Sequence, residues 1–231
     1  MAAPREGGSL TTASRAADDR RRRMVERLAE QGISDPAVLE AMARVPREAF
    51  LPEALRGRAY EDTPLPIGHG QTMSQPWAVA RLAELLAVER RGKVLEIGSG
   101  SGYQAAVLAE MGLRVFSIER HAQLAREASA RLRALGYLAA TVKHFDGTYG
   151  WAAMAPFDGI VSTAGGPEIP GVLVQQLRLG GRLVIPIDRG RAGQRLVVVT
   201  RTSAGSREED HGPASFVPLI GRYGFRPAPP A

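Results

Sequence analysis

Cysteine is absent from this 231-residue chain, aromatic residues make up only 6 % of it, and histidine occurs four times. Without cysteine there is no disulfide and no thiolate metal ligand, which suits a reducing compartment. The histidines, His69, His121, His144 and His211, are scattered without metal-ligand spacing, so no metal is expected. No segment approaches the ~20 apolar residues of a membrane span. No apolar run follows the arginine cluster near the N-terminus, so neither a secretory nor a twin-arginine signal is supported and the expected location is the cytoplasm. No coiled-coil heptad or long apolar stripe asks for a second copy, and a monomer is expected.

What is present begins with charge. A formal net charge of +6 could point to nucleic acid, but much of the excess is local, in Arg20-Arg21-Arg22-Arg23. A solvated helix face accounts for that run equally well. Upstream of it, residues 1–18 are small and polar and are expected to be disordered. The length suits one well-buried α/β domain over residues 19–231.

The most informative segment is Lys93-Val94-Leu95-Glu96-Ile97-Gly98-Ser99-Gly100-Ser101-Gly102. It reads as a buried strand running into a glycine turn, where a ligand can lie against main-chain amides at the C-terminal edge of a parallel sheet. A dinucleotide would bring a pyrophosphate there, and the carboxylate of Glu96 would repel it. Glycines 98, 100 and 102 alternate, whereas the nucleotide fingerprint would put its third small residue at Tyr103. S-adenosylmethionine carries no phosphate, and its sulfonium and ammonium favour an anionic neighbour. The next strand, Leu113 to Ile118, ends in Glu119, roughly twenty residues past the turn, at the place for an acid that binds ribose hydroxyls. Asp146-Gly147 follows a short strand around Thr141 to Lys143 and offers a carboxylate for an adenine amino group. Taken alone, the same dipeptide is an ordinary turn.

Two helices are expected first, from Asp19 to Gln31 and from Pro36 to the break at Pro46; with the residues up to 75 they form a cap and loop. The stretch Ala59 to Gln75, with two prolines and two glycines among polar side chains, reads as an irregular, function-bearing loop. From Pro76 to 221 helix and strand alternate as in a doubly wound sheet: a helix from Pro76, Val94 to Ile97, a helix from Tyr103, Val115 to Ile118, a helix to Leu135, a short strand, and Phe157 to Ser162. A helix from Pro170 to Arg178, a Gly180-Gly181 turn and an antiparallel hairpin of Arg182 to Ile187 with Arg195 to Arg201 complete the pattern. The expected architecture is therefore a Rossmann-like, mostly parallel α/β sheet with a C-terminal antiparallel hairpin and N-terminal helices.

With these parts in place, Pro64-Leu65-Pro66-Ile67-Gly68-His69-Gly70-Gln71-Thr72-Met73-Ser74-Gln75-Pro76 closely resembles the substrate loop of the protein-L-isoaspartate O-methyltransferases. Val45-Pro46-Arg47-Glu48-Ala49-Phe50, Pro167-Glu168-Ile169-Pro170 and Phe216-Val217-Pro218-Leu219 also resemble that family, so the likeness spans roughly Val45 to Gly221. The resemblance implies a class I methyltransferase fold, S-adenosylmethionine as cofactor, and methyl esterification of the free α-carboxylate of isoaspartyl residues in aged proteins as a repair step. It implies Ser74 as the active-site residue and Glu96, Gly98, Ser99, Gly100, Glu119, Asp146 and Gly147 around the cofactor. Gln71, Thr72, Val217, Pro218 and Leu219 would meet the peptide, and Thr163, at the end of the fourth strand, is placed to approach the cofactor or the substrate. Two departures touch loop detail: Gly165-Gly166 stands where the family often has alanine and proline, and Phe145 precedes Asp146 where glycine is usual.

Two other readings compete. Base N-methylation commonly needs an Asp/Asn-Pro-Pro-aromatic segment after the fourth strand, which Ser162-Thr163-Ala164-Gly165 does not supply. A binding module without turnover would bind isoaspartyl peptide but form no methyl ester. Ser74 has a structural alternative too, as the cap of the helix opened by Pro76.

Overall fold

The computed structural model describes residues 12–226. Helix α1 (Thr12–Glu30) begins earlier than Asp19, so residues 12–18 belong to it, and the rest of the expected disordered segment lies outside the described residues. Asp35 starts helix α2 (Pro36–Arg44) by accepting a hydrogen bond from the Ala37 amide, while Pro36 occupies a first-turn position that needs no donor. The stretch expected to be irregular contains a small antiparallel hairpin of β1 (Leu65–Gly68) and β2 (Gln71–Met73). Its turn runs through Gly68, His69 and Gly70, all at positive φ. Strands this short, one of them interrupted by Pro66, carry too few residues for an alternation signal.

Helix α3 (Pro76–Leu86) buries Val79, Leu82, Leu85 and Leu86, as its stripe requires. Then come β3 (Lys93–Ile97), α4 (Tyr103–Glu110), β4 (Arg114–Glu119), α5 (Ala122–Ala134), β5 (Ala140–His144) and β6 (Phe157–Ser162). The last elements are α6 (Gly171–Gln175), β7 (Leu177–Asp188), β8 (Gln194–Thr202) and β9 (Gly205–Ala214). Three expectations change here. Helix α6 stops short of Arg178, Gly180 and Gly181 lie within β7, and the terminal hairpin is a three-strand meander whose last member, β9, is additional to the expected pair. β9 escapes a sequence reading because its Arg207, Glu208, Glu209 and Asp210 carry no apolar alternation. Those charges belong to the exposed edge of a sheet, which they blunt against further pairing.

The seven strands run in the order β5-β4-β3-β6-β7-β8-β9, with β5 to β7 parallel and β8 and β9 antiparallel. Successive strand residues feed opposite faces. Val94, Val115, Val161 and Val184 join one core with residues of α1 to α4, and Leu95, Ile160, Leu183 and Ile185 join another with Leu173 of α6. From β3 the chain winds outward through β4 to β5, then returns to β6 on the other side. The crevice for a ligand thus opens above the C-terminal ends of β3, β4 and β6.

Candidate active site

A cavity sits at that switch point. Its floor is the glycine turn after β3, where Gly98 (φ 93) and Gly100 (φ 51) hold a backbone shape that L side chains resist. A Cβ on Gly98 would lie 2.4 Å from Thr163 Oγ1, and one on Gly100 would lie 3.3 Å from Ile67 of the hairpin. Thr163, just past β6, donates from its hydroxyl to the Gly98 carbonyl at 2.7 Å and so ties two strand ends together. Glu119 closes the neighbouring corner: it accepts from the Gly100 amide at 2.9 Å and from the His121 amide at 2.8 Å. It therefore reinforces the turn while lining the cavity.

Of the sequence-derived positions, Gln71, Thr72, Ser74, Gly98, Ser99, Gly100, Glu119, Gly147, Thr163, Val217, Pro218 and Leu219 all line this one cavity. Glu96 and Asp146 do not. Glu96, expected as an anion beside the turn, is instead 0 % exposed within β3. Its carboxyl accepts from the Ser117 hydroxyl, which also pairs with Ser99 Oγ at 2.5 Å, so a buried polar chain runs from Glu96 to the turn. Burial, with a smaller push from Glu119, drives the Glu96 pKa up to about 8 against the pull of the Ser117 bond. Burial thus favours the neutral form of Glu96, and of the two acids it is Glu119 that lines the cavity. Asp146 spends its oxygens on the Thr148 amide and hydroxyl, at 2.9 and 2.7 Å, and on the Arg222 amide at 2.9 Å. It anchors the C-terminal segment, and its neighbour Gly147 forms the wall.

Ser74 follows β2 and faces the cavity. The N-cap of α3 is Gln75, with no side-chain capping bond, and the Ser74 hydroxyl makes no hydrogen bond with the described residues. The helix-cap alternative for Ser74 therefore does not hold. Its backbone is held instead by Arg47, a 0 % exposed cation that the sequence offers only as one member of a longer motif. Arg47 donates to the Ser74 carbonyl at 2.6 Å and to the Ala59 carbonyl at 2.7 Å, and its guanidinium lies 4.7 Å from the Tyr103 ring centre. Nothing local marks such a residue, because its partners are 12 and 27 positions away.

The opposite wall depends on Gly165. Its amide donates to the Val217 carbonyl at 2.8 Å and its carbonyl accepts from the Leu219 amide at 2.7 Å, which clasps Val217-Pro218-Leu219 against the end of β6. Gln194 donates to and accepts from Phe216 at 3.0 and 2.8 Å, steadying the approach to that segment. A Cβ at 165 would lie 2.7 Å from Gln194 Nε2, so the departure to glycine here has a steric reason. Two members of the arginine cluster dock α1: Arg20 donates to the Gly57 carbonyl and Arg21 to the Tyr60 hydroxyl, while Arg22 pairs within the helix with Asp19 and stays exposed, as does Arg23.

Residues 19–224 match the family model described as protein-L-isoaspartate(D-aspartate) O-methyltransferase. Protein-L-isoaspartate O-methyltransferase 2 of Marinobacter nauticus is 53 % identical over 209 residues, covering 90 % of this chain and 95 % of its own. A protein-L-isoaspartate O-methyltransferase of Rhodopseudomonas palustris is 50 % identical over 210 residues, with 90 % and 96 % covered. Among solved structures, a protein-L-isoaspartate O-methyltransferase superposes with a TM-score of 0.81 at 28 % identity, over 88 % of this chain and 67 % of that one. A putative Plasmodium falciparum protein of the same description, in complex with S-adenosyl-L-homocysteine, gives 0.74 at 26 % identity, over 87 % and 98 %. On the extent of these matches, the chain belongs to the protein-L-isoaspartate(D-aspartate) O-methyltransferase family.

Proposed function

We propose that this enzyme uses S-adenosylmethionine to methylate the free α-carboxylate of L-isoaspartyl residues in damaged proteins and peptides, the step that starts their return to aspartate. The observation that carries the reading is Ser74: a hydroxyl without a protein partner among the described residues, on a backbone held by a buried arginine, beside a cavity floored by the glycine turn. The cavity also suits the cofactor. Backbone approaches closely at Gly98 and Gly100, Glu119 can accept from ribose hydroxyls, and Gly147, where a Cβ would lie 2.6 Å from Ile97, lets the wall close tightly on the end of β3.

Bound S-adenosylmethionine supplies an electrophilic methyl group on a sulfonium. The chain's own residues have a modest task, because the acceptor carboxylate is already ionised at neutral pH, with a reference pKa near ~3.5. No general base is needed. Ser74 donates to one carboxylate oxygen and leaves the other free to attack, so it acts by orientation and not as a covalent nucleophile. Gln71 and Thr72 on one side and Val217, Pro218 and Leu219 on the other hold the peptide, with Thr163 at their base. Met73, Val79, Ile97 and Ile220 give the cavity an apolar lining that excludes water from the carboxylate.

The reading carries with it a cytoplasmic monomer whose partners are isoaspartyl proteins, with neither nucleic acid nor membrane as a target. The lack of cysteine and the docking of Arg20 and Arg21 against Gly57 and Tyr60 support it, and no helix among the described residues is long and apolar enough to cross a membrane. The test is transfer of labelled methyl from S-adenosylmethionine to matched isoaspartyl and aspartyl peptides. Only the isoaspartyl peptide should be labelled, with the label released by base as methanol. Equal labelling of both peptides, base-stable label, or tight peptide binding without transfer would each overturn the assignment.

A further inference from the structure

Gln104 stands in the first turn of α4, directly after the glycine turn, and belongs to the cavity wall. It is 5 % exposed, and both its amide nitrogen and its amide oxygen are buried without a hydrogen-bond partner. The other buried atoms without partners among the described residues are single: one nitrogen of Arg47, one oxygen of Glu96 and the hydroxyl of Thr200. Among all of these only Gln104 leaves two atoms unmet, the donor and the acceptor of one amide. A buried polar group without a partner costs about 1–3 kcal/mol, and a methionine of similar volume would fill the same space without that cost. Packing therefore gives no reason for an amide here.

The unmet pair has a chemical complement. An α-amino acid presents a carboxylate that accepts and an ammonium that donates, both on one carbon, and a neutral amide can meet both without adding net charge. The position agrees. Glu119 sits on the β4 side of the glycine turn, while Gln104 follows Tyr103, whose ring touches the Arg47 that holds Ser74. A helix N-terminus also favours a carboxylate at that end. We infer that Gln104 binds the amino-acid end of S-adenosylmethionine, opposite the ribose corner at Glu119. The inference rests on the cofactor reading above and assigns a binding role, with no part in the bond-forming step.

The experiment compares wild type with Gln104→Met by calorimetry, using S-adenosylhomocysteine and 5′-methylthioadenosine, which shares the thioether nucleoside but lacks the amino-acid end. The variant should bind S-adenosylhomocysteine about ten-fold or more weakly. It should bind methylthioadenosine as wild type does, and its unliganded Tm should hold or rise as the unpartnered amide disappears. Gln104→Glu, which keeps the shape and one acceptor but loses the donor, gives a second reading of the same contrast if the methionine variant folds poorly. Equal weakening of both ligands, unchanged binding of S-adenosylhomocysteine, or a fall in unliganded Tm with no selective loss overturns the inference. A wild-type enzyme that binds neither ligand would overturn the cofactor reading itself, a result distinct from these.

Discussion

The two halves of the cavity are built in different ways. On the proposed cofactor side, the Gly98–Gly102 turn and Glu119 lie at the ends of neighbouring parallel strands, and their hydrogen bonds, with that of Thr163 where the two sides meet, join strand ends already placed by the sheet. On the proposed substrate side, Ser74 and the Val217–Leu219 segment belong to no strand of the large sheet. They are positioned by distant backbone contacts from Arg47 and Gly165. The first half is an outcome of topology; the second depends on a few long-range contacts, so single substitutions should disturb it more readily.

The largest test of that contrast is Arg47→Ala, which removes a buried guanidinium and leaves the Ser74 and Ala59 carbonyls unpartnered. It should lower unfolding stability by about 3 kcal/mol, read from the urea midpoint. In whatever fraction folds, peptide turnover should fall more than S-adenosylhomocysteine affinity. Next comes Ser74→Ala, expected to reduce kcat about a hundred-fold, as loss of one aligned donor does, with cofactor affinity nearly unchanged. Equal turnover with an isoaspartyl peptide would end the role given to Ser74. Glu119→Gln probes the other half: S-adenosylhomocysteine should bind about ten-fold more weakly in calorimetry, while kcat at saturating cofactor changes little. If instead it altered peptide KM alone, the division into two halves would fail.

An effect small at each step, spread over several pH units, sharpens the cofactor side. The folded pKa of Glu96, pushed up to about 8, lies above that of the unfolded chain, so the folded state holds the extra proton. Its contribution to stability is complete below the unfolded carboxyl pKa and is lost as pH rises through about 8. The slope should approach at most about 1.4 kcal/mol per pH unit, and Glu96→Gln should flatten it in urea melts between pH 5 and about 9. An unchanged slope in the variant would place the titrating group elsewhere.

Much of the first half is legible in the order of residues. The strand-to-glycine segment at 93–102, the acid at Glu119 and the alternation of helices with strands are local patterns, and local patterns survive into the sheet. Legibility fails where the deciding partner is far along the chain or the pattern is polar. Glu96 reads as an anion beside the turn because its charge is visible in the sequence and its burial is not. Arg47 lies inside a motif that gives it no role of its own, and Gln104 carries no signal beyond following the turn. The β1–β2 hairpin and β9 lack the apolar alternation that identifies a strand, one being too short and the other a charged edge.

The sequence by itself determined the α/β class, the position of the ligand turn and the family likeness, because strand periodicity, glycine placement and motif spacing are local properties. Tertiary structure decided that Glu96 is buried with its pKa raised, that Asp146 braces a segment instead of lining the cavity, and that Arg47 holds Ser74 in place. Each of those depends on burial or on hydrogen bonds between residues many positions apart, and both exist only once the sheet has brought its strand ends together.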